Sequence, residues 1–383
     1  MNKLNNSGRA RRIVRRLFSG YRAGSLVFFA ALTLLWACAP ASYTNDAAGG
    51  KTVEGVQTSF NGQWLIEFKT GEDKVQLSLS YRRESKNGYG YSNNSFGIAP
   101  DQLQGLTREQ AMSSAGGHVQ FQLKRDAGTF NCEGWFKDGN GSGHFVFAPN
   151  TAYAAELKSQ GYGAPSNEQQ FSMALHDVSL AFIAELKSQG YERPTLDQLV
   201  EMGEHGVRLE YVQGLKAMGY MLRSIDSLIE MRDHGVTLSF IRELAALGYE
   251  RTSAEELVTT KDHGVNPEFI KWLREAGYDR LSLSRLIDMR DHGVSPKFAK
   301  ELEELGYAKL SVEQLIEFRD HGVSANFIKE LKQLGYERVP VDQLIRLRDH
   351  GVSAAFIQKM KERGHSNLSL DELVELRDRG GEE

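Results

Sequence analysis

Cysteine is nearly missing from this chain: Cys38 and Cys132 are the only two in 383 residues. That excludes a disulfide framework as the source of stability. Familiar catalytic signatures are missing as well. The sequence contains no HExxH, GxSxG, Walker loop or Cys-x-x-Cys, and so no local zinc-protease helix, nucleophile elbow or phosphate cradle. Residues 1–38 contain no acidic residue but seven basic ones. No apolar run reaches the ~20 residues that cross a bilayer comfortably. The longest covers residues 23–37. Residues 150–383 carry a net charge of about −10. This argues against nucleic acid as a partner, because a phosphate backbone needs clustered cations.

Repetition is what the chain has in abundance. Gly-Tyr recurs at Gly161, Gly190, Gly219, Gly248, Gly277, Gly306 and Gly335, always 29 residues apart, and Gly-His stands at Gly364. A second ladder runs in phase: His176, His205, His234, His263, His292, His321 and His350, with Arg379 in the eighth place. A fixed period of this size marks stacked supersecondary units. Within one unit, Leu283, Leu286 and Ile287 fall at i, i+3 and i+4, the spacing of one helix face. Ser282 is a natural N-cap, and Ser311 with Gln314 and Ser369 with Glu372 fit capping boxes. Gly293 can end that helix in a left-handed conformation. A second helix starts with Pro296 in its first turn, buries Phe298, Ala299, Leu302 and Leu305, and ends at Gly306. Each unit is thus expected to hold two helices of roughly 10–12 residues, too short to stand alone. The expected fold is α+β in two domains: a small antiparallel sheet or sandwich, then an α-solenoid held by nearest-neighbour packing.

The chain divides into 1–38, a signal peptide or membrane anchor; 39–55, a flexible tether; 56–149, an antiparallel β-domain; and 150–383, the solenoid. The basic residues before the apolar run have the order of an export signal. Leu35-Trp36-Ala37-Cys38 resembles a bacterial lipobox, which would put a lipid on Cys38. Ordinary cleavage near Ala39-Pro40-Ala41 and an uncleaved anchor remain open. Each of these readings puts the rest of the chain outside the cytoplasm, at the bacterial envelope. Between 56 and 149 the period changes to alternation, as in Val75 to Tyr81 and Val119 to Leu123. Asn87 to Gly97, rich in Gly, Asn, Ser and Tyr, reads as a mobile loop.

Several residues invite a functional reading. The histidine ladder suggests metal, but equivalent positions in stacked repeats lie roughly 10 Å apart, so neighbours cannot share an ion. The expectation is that each His caps its own helix's last carbonyls, while the adjoining Asp pairs with a neighbouring Arg or His. The Gly-Tyr tyrosines, Tyr249, Tyr278 and Tyr307 among them, are expected to cover the seams between units with their hydroxyls in water. A binding strip is the alternative. Trp272 stands where four other units have Glu (Glu185, Glu243, Glu301 and Glu330). It is a candidate exposed anchor or a site of local repacking. Cys132 alternates with Phe130 and reads as a buried thiol. His118 and His144 read as ordinary sheet residues. No cofactor is implied, and the oligomeric state stays open.

Gly128-Thr129-Phe130, Gly141 to Phe147 and the Arg-Asp-His-Gly-Val…Leu-Gly-Tyr repeats together resemble extracytoplasmic regions attached to some bacterial antirepressor-type membrane zinc peptidases, the group that includes β-lactam sensors. The resemblance covers about residues 56–383. The peptidase part, with its membrane spans and zinc-binding helix, is not in this sequence, so no catalytic residue carries over. The resemblance implies a sensor-like or scaffolding ectodomain. The functional expectation is a non-enzymatic, envelope-associated protein whose solenoid meets a protein partner. The alternative is a sensor that takes a small envelope ligand on the β-domain.

Overall fold

The structure, a computed structural model, describes residues 60–69, 71–85 and 88–380. The expected leader and tether, Cys38 included, lie outside the described residues. Alternation in the sequence becomes one seven-stranded antiparallel sheet, not a sandwich. The strands are β1 Asn61–Glu67, β2 Val75–Ser85, β3 Gly88–Ile98, β4 Leu103–Gln104, β5 Gly117–Arg125, β6 Gly128–Lys137 and β7 Asn140–Pro149, in the order β3-β2-β1-β7-β6-β5-β4. Period-two patterning sends Trp64, Ile66, Leu77, Leu79, Phe121 and Phe130 to one buried face. Asp138 and Gly139 join β6 to β7 with φ of 50° and 81°, as a tight hairpin turn requires. Trp64 locks the centre: its Nε1–H lies 3.2 Å from the Glu133 carbonyl and 3.1 Å from that of His144. A Cβ at Gly134 would sit 2.7 Å from the Trp64 ring and closer still to a backbone carbonyl, so only glycine fits there.

The expected loop at Asn87 to Gly97 is corrected. From Gly88 onward this stretch is strand β3, paired with β2 from Val75↔Ile98 to Ser85↔Gly88. Its Gly- and Asn-rich composition misled because β3 is an edge strand, packed on the core through the buried Ile98 and the half-buried Phe96. Cross-strand polar bonds supply the rest: Ser78 to Ser95 at 2.6 Å and Asn94 to the Tyr81 hydroxyl at 3.1 Å. The short helix α1, Arg108–Met112, carries the capping box of Thr107 and Gln110 and buries Ala111.

After β7 come sixteen helices, α2 Thr151–Ser159 through α17 Leu370–Asp378, eight of each kind. They form the solenoid, each helix packing against its equivalent in the next unit. Each helix has nine residues, shorter than expected, because both kinds close in the same tight motif. In the unit around His234, Gly235 N–H bonds the Arg232 carbonyl and Val236 N–H bonds that of Met231, with Gly235 at φ 70°. Gly219 and Tyr220 repeat the pattern on the second helix. These are Schellman closures, with His or its counterpart as the C-cap. The capping boxes expected at Ser311 and Ser369 are present.

The sequence boundary near residue 149 coincides with the end of β7, but the apolar core continues across it. Phe171, on α3 (Asn167–Leu175), stacks 4.7 Å from Phe60 and meets Tyr81, Phe130 and Phe147 at 4.8, 5.7 and 5.2 Å. Beside it, Gln170 is buried and donates to the carbonyls of Ala127 and Asn150 at 2.8 and 2.6 Å. The first repeat is therefore bolted to the sheet by an aromatic cluster and an amide clamp.

Candidate functional site

The histidine turns are joints between units. Each His ring reaches across the seam to the Asp of the following unit. The Nδ1–Oδ1 distances are 2.5 Å for His205–Asp233, 2.6 Å for His234–Asp262 and His263–Asp291, 2.5 Å for His292–Asp320 and His321–Asp349, and 2.8 Å for His350–Asp378. The expected pairing of Asp is thus present. The expected capping by the His ring is corrected: the backbone N–H of His bonds its own helix, while the ring binds the neighbour. A nine-residue helix leaves its last carbonyls to the Gly and Val N–H groups, which frees the ring. The residue before each Asp completes the joint. Arg232 lies over Tyr211, and Arg290, Arg319, Arg348 and Arg377 lie over Phe269, Phe298, Phe327 and Phe356, at 5.0–5.3 Å. The same Arg presses on the glycine of the preceding turn: a Cβ at Gly293 would stand 2.9 Å from Arg319. Arg-Asp-His-Gly-Val therefore encodes ring cover, acceptor, donor, turn and core contact in five residues. For His321, the bond to Asp349 raises the imidazole pKa above its ordinary value.

The first seam differs. Glu204 replaces Asp opposite His176, and Asp177 holds the left-handed position at φ 57°. Arg208 Nη1 donates to the His176 carbonyl at 2.6 Å, and Gly203 leaves room for the ring. Burial, with the Arg208 charge adding to it, pushes the His176 pKa down to about 4.

The tyrosine turns are joints too. The hydroxyls of Tyr220, Tyr249, Tyr278, Tyr307 and Tyr336 donate to the carbonyls of Thr252, Leu281, Leu310, Val339 and Leu368 at 2.8, 2.7, 2.6, 2.7 and 2.9 Å. The expectation of a wet hydroxyl is corrected, because the next unit supplies an acceptor 32 residues on. Burial raises the pKa of Tyr249, Tyr278 and Tyr307. Beside these tyrosines the surface is hollow. One hollow, of about 650 Å³, lies among Glu304, Tyr307, Lys332, Tyr336 and Arg338. Another, of about 510 Å³, adjoins Tyr249, Glu250, Arg274 and Arg280. A third, of about 330 Å³, is formed by Tyr162, Lys187, Tyr191 and Arg193. Lys187, Arg274 and Lys332 hold the same place in their units, as do Arg193, Arg280 and Arg338.

Trp272 is not an exposed anchor. It is half-buried, packs on the core and stacks on Phe269 with ring centres 6.2 Å apart. Cys132 is buried, and its thiol pKa is raised to about 12 by desolvation. Among the described residues no group of three or more His, Cys, Asp or Glu could hold a metal ion. No helix among them is long and apolar enough to cross a membrane.

Among the described residues the exposed tryptophan is Trp135, 63% accessible on the outer face of the sheet. Sequence reasoning missed it, although its alternation with Phe136 was available as a signal. Leu65 and Val146 are exposed at outer positions of β1 and β7. His118 Nε2 bonds Glu133 Oε1 at 3.0 Å, and its ring meets Trp135 nearly perpendicularly at 5.9 Å. Comparison with known protein families and with curated proteins gives no match to this chain.

Proposed function

We propose that this chain is a non-enzymatic docking protein, tethered at the outer side of a bacterial membrane, whose solenoid receives a protein partner along its tyrosine turns. The observation that carries the reading is the recurrence of equivalent hollows, each with at least one tyrosine and two cations, at three separate seams. Repetition of one recognition element at a fixed step suits an extended partner that touches several units at once. The histidine turns serve the same end by holding the step constant. The N-terminal charge pattern and Cys38 support the membrane tether, by lipid or by the apolar run.

The test places a photo-crosslinking residue in the full chain at Lys332 or Arg338, and in parallel at Asp320 in a histidine turn. Capture of one defined envelope protein from the first pair and not from Asp320 is expected. Capture should drop on the double change Lys187→Glu and Arg274→Glu. Equal capture from both kinds of turn sinks the docking reading. Mass spectrometry of the mature N-terminus checks the tether: an acylated Cys38 is expected, and a free Cys38 inside an uncleaved chain removes the lipid.

A further inference from the structure

The outer face of the sheet shares no residue with the tyrosine-turn hollows, so it is independent of the docking reading above. Two rows cross its strands in register. One runs Leu65, Ser142, Trp135, His118 across β1, β7, β6 and β5. The adjacent row runs Gln63, His144, Glu133, Gln120 across the same strands. Gln122 and Asn131 extend the amides, bonded to each other at 2.8 Å. These amides, with Glu133, His144 and Val146, border a hollow of about 510 Å³. Neither row contains Lys or Arg. Within the rows the charge-bearing groups are Glu133, engaged with His118, and His144, and at the margins of the face stand Lys137 with Glu67 and, beyond Gln122, Lys124. Two separated lysines, with Glu67 and Glu133 on the same face, do not make the clustered cations that a phosphate chain needs, so polyanions suit it poorly. A protein interface of ordinary size wants a larger apolar centre than Leu65, Trp135 and Val146 supply.

What such a face matches is an uncharged, polyhydroxylated chain. An aromatic ring offers a flat apolar platform for the C–H face of a pyranose, while amides and hydroxyls exchange hydrogen bonds with its hydroxyl rim. The Trp135 ring is held in place by His118, which Glu133 fixes in turn. Leu65 and Val146 are aliphatic groups 58% and 50% exposed, set amid amides. They match a ligand that carries methyl groups next to hydrogen-bonding amides. We propose that this sheet face is a binding site for an N-acetylhexosamine oligosaccharide, stacked on Trp135 with its acetamido methyls against Leu65 and Val146.

The experiment titrates the full chain, kept in a sugar-free detergent, with chitohexaose and follows tryptophan emission and heat. Saturable binding with a blue shift is expected, because Trp135 is the solvent-exposed indole among the described residues. Trp135→Ala should weaken binding at least tenfold, about 1.4 kcal/mol, while leaving the thermal unfolding curve in place. Gln120→Ala should weaken it about threefold, and Trp272→Phe should leave it unchanged. Cellohexaose, which lacks the acetamido groups, should bind at least tenfold more weakly. No saturable binding of chitohexaose, or undiminished binding by Trp135→Ala, overturns the site. Equal binding of cellohexaose overturns the acetamido assignment. Since none of the proposed binding residues belongs to the solenoid, either result leaves the docking reading to its own test.

Discussion

The sheet and the solenoid solve the same problem in opposite ways. The sheet buries one set of side chains that occurs once: Trp64 under Gly134, Phe130 against Phe145 and Phe147, Phe171 inserted from α3. The solenoid buries one modest set many times and, past its first seams, welds copy to copy with a recurring His–Asp bond, cation–ring contact and Tyr–carbonyl bond. In the first region every large residue has its own neighbours, so no other residue replaces it. In the second, losing one joint leaves the others in place. Stability should then be concentrated at the joint with the sheet and spread thin along the array.

Breaking the joint should have the largest effect. Phe171→Ala removes the ring that five aromatic neighbours surround, and should cost about 3–5 kcal/mol. Hydrogen exchange should rise in β6, β7 and the first repeat together. Confinement of the change to α3 would contradict a shared core. The odd first seam comes next. His176 titrates near 4 when folded and near 6.5 when unfolded, so the unfolded chain binds the extra proton between those values. Stability should be intact above pH 6.5 and fall as pH drops toward 4, by on the order of 2 kcal/mol. His176→Gln should flatten that slope in melting curves. His321 has the opposite sign. Its raised pKa gives a contribution that is complete below about 6.5 and fades as pH rises through the folded value. The substitution His321→Gln should therefore flatten the alkaline side.

Interior seams should respond weakly and locally. Tyr278→Phe deletes the bond to the Leu310 carbonyl and should cost about 1 kcal/mol, with exchange rising only in the two units that share the seam. Spread of the exchange to the sheet would mean the array is less one-dimensional than its contacts indicate. The smallest effect should be a gain. Thr260 is fully buried and its hydroxyl has no partner, in the place where other units carry Met231, Met289 or Phe318. Thr260→Val should stabilise by roughly 0.5–1 kcal/mol, since it removes an unsatisfied polar atom at constant volume. An unchanged or lower melting temperature would refute this.

Much of the solenoid was legible from residue spacing. Ser or Thr before an apolar pair, Gly after it and Pro in a first turn are signals carried within a few residues of where they act. The nine-residue helix length was missed because His looks like a last-turn cation, whereas it ends the helix and turns away. Strand β3 was missed because edge strands tolerate the Gly and Asn that usually mark loops. At Trp272 the sequence left an exposed anchor and local repacking both open, because its unit-equivalents are glutamates and the ring's stacking on Phe269 is not visible from equivalence.

What the candidate sites do is the part that sequence spacing left open. His292 and Asp320 stand 28 residues apart, Tyr278 and Leu310 32 apart. A period of 29 identifies them as members of two ladders but does not say that the ladders interlock. Local chemistry alone determined where helices begin and end, and that identical units had to cover one another's apolar faces. Which side chain meets which across a seam, how Phe171 ties the array to the sheet, and the row that lines Leu65 up with Trp135 were decided by stacking and strand register. Those set distances between residues that no short-range preference couples.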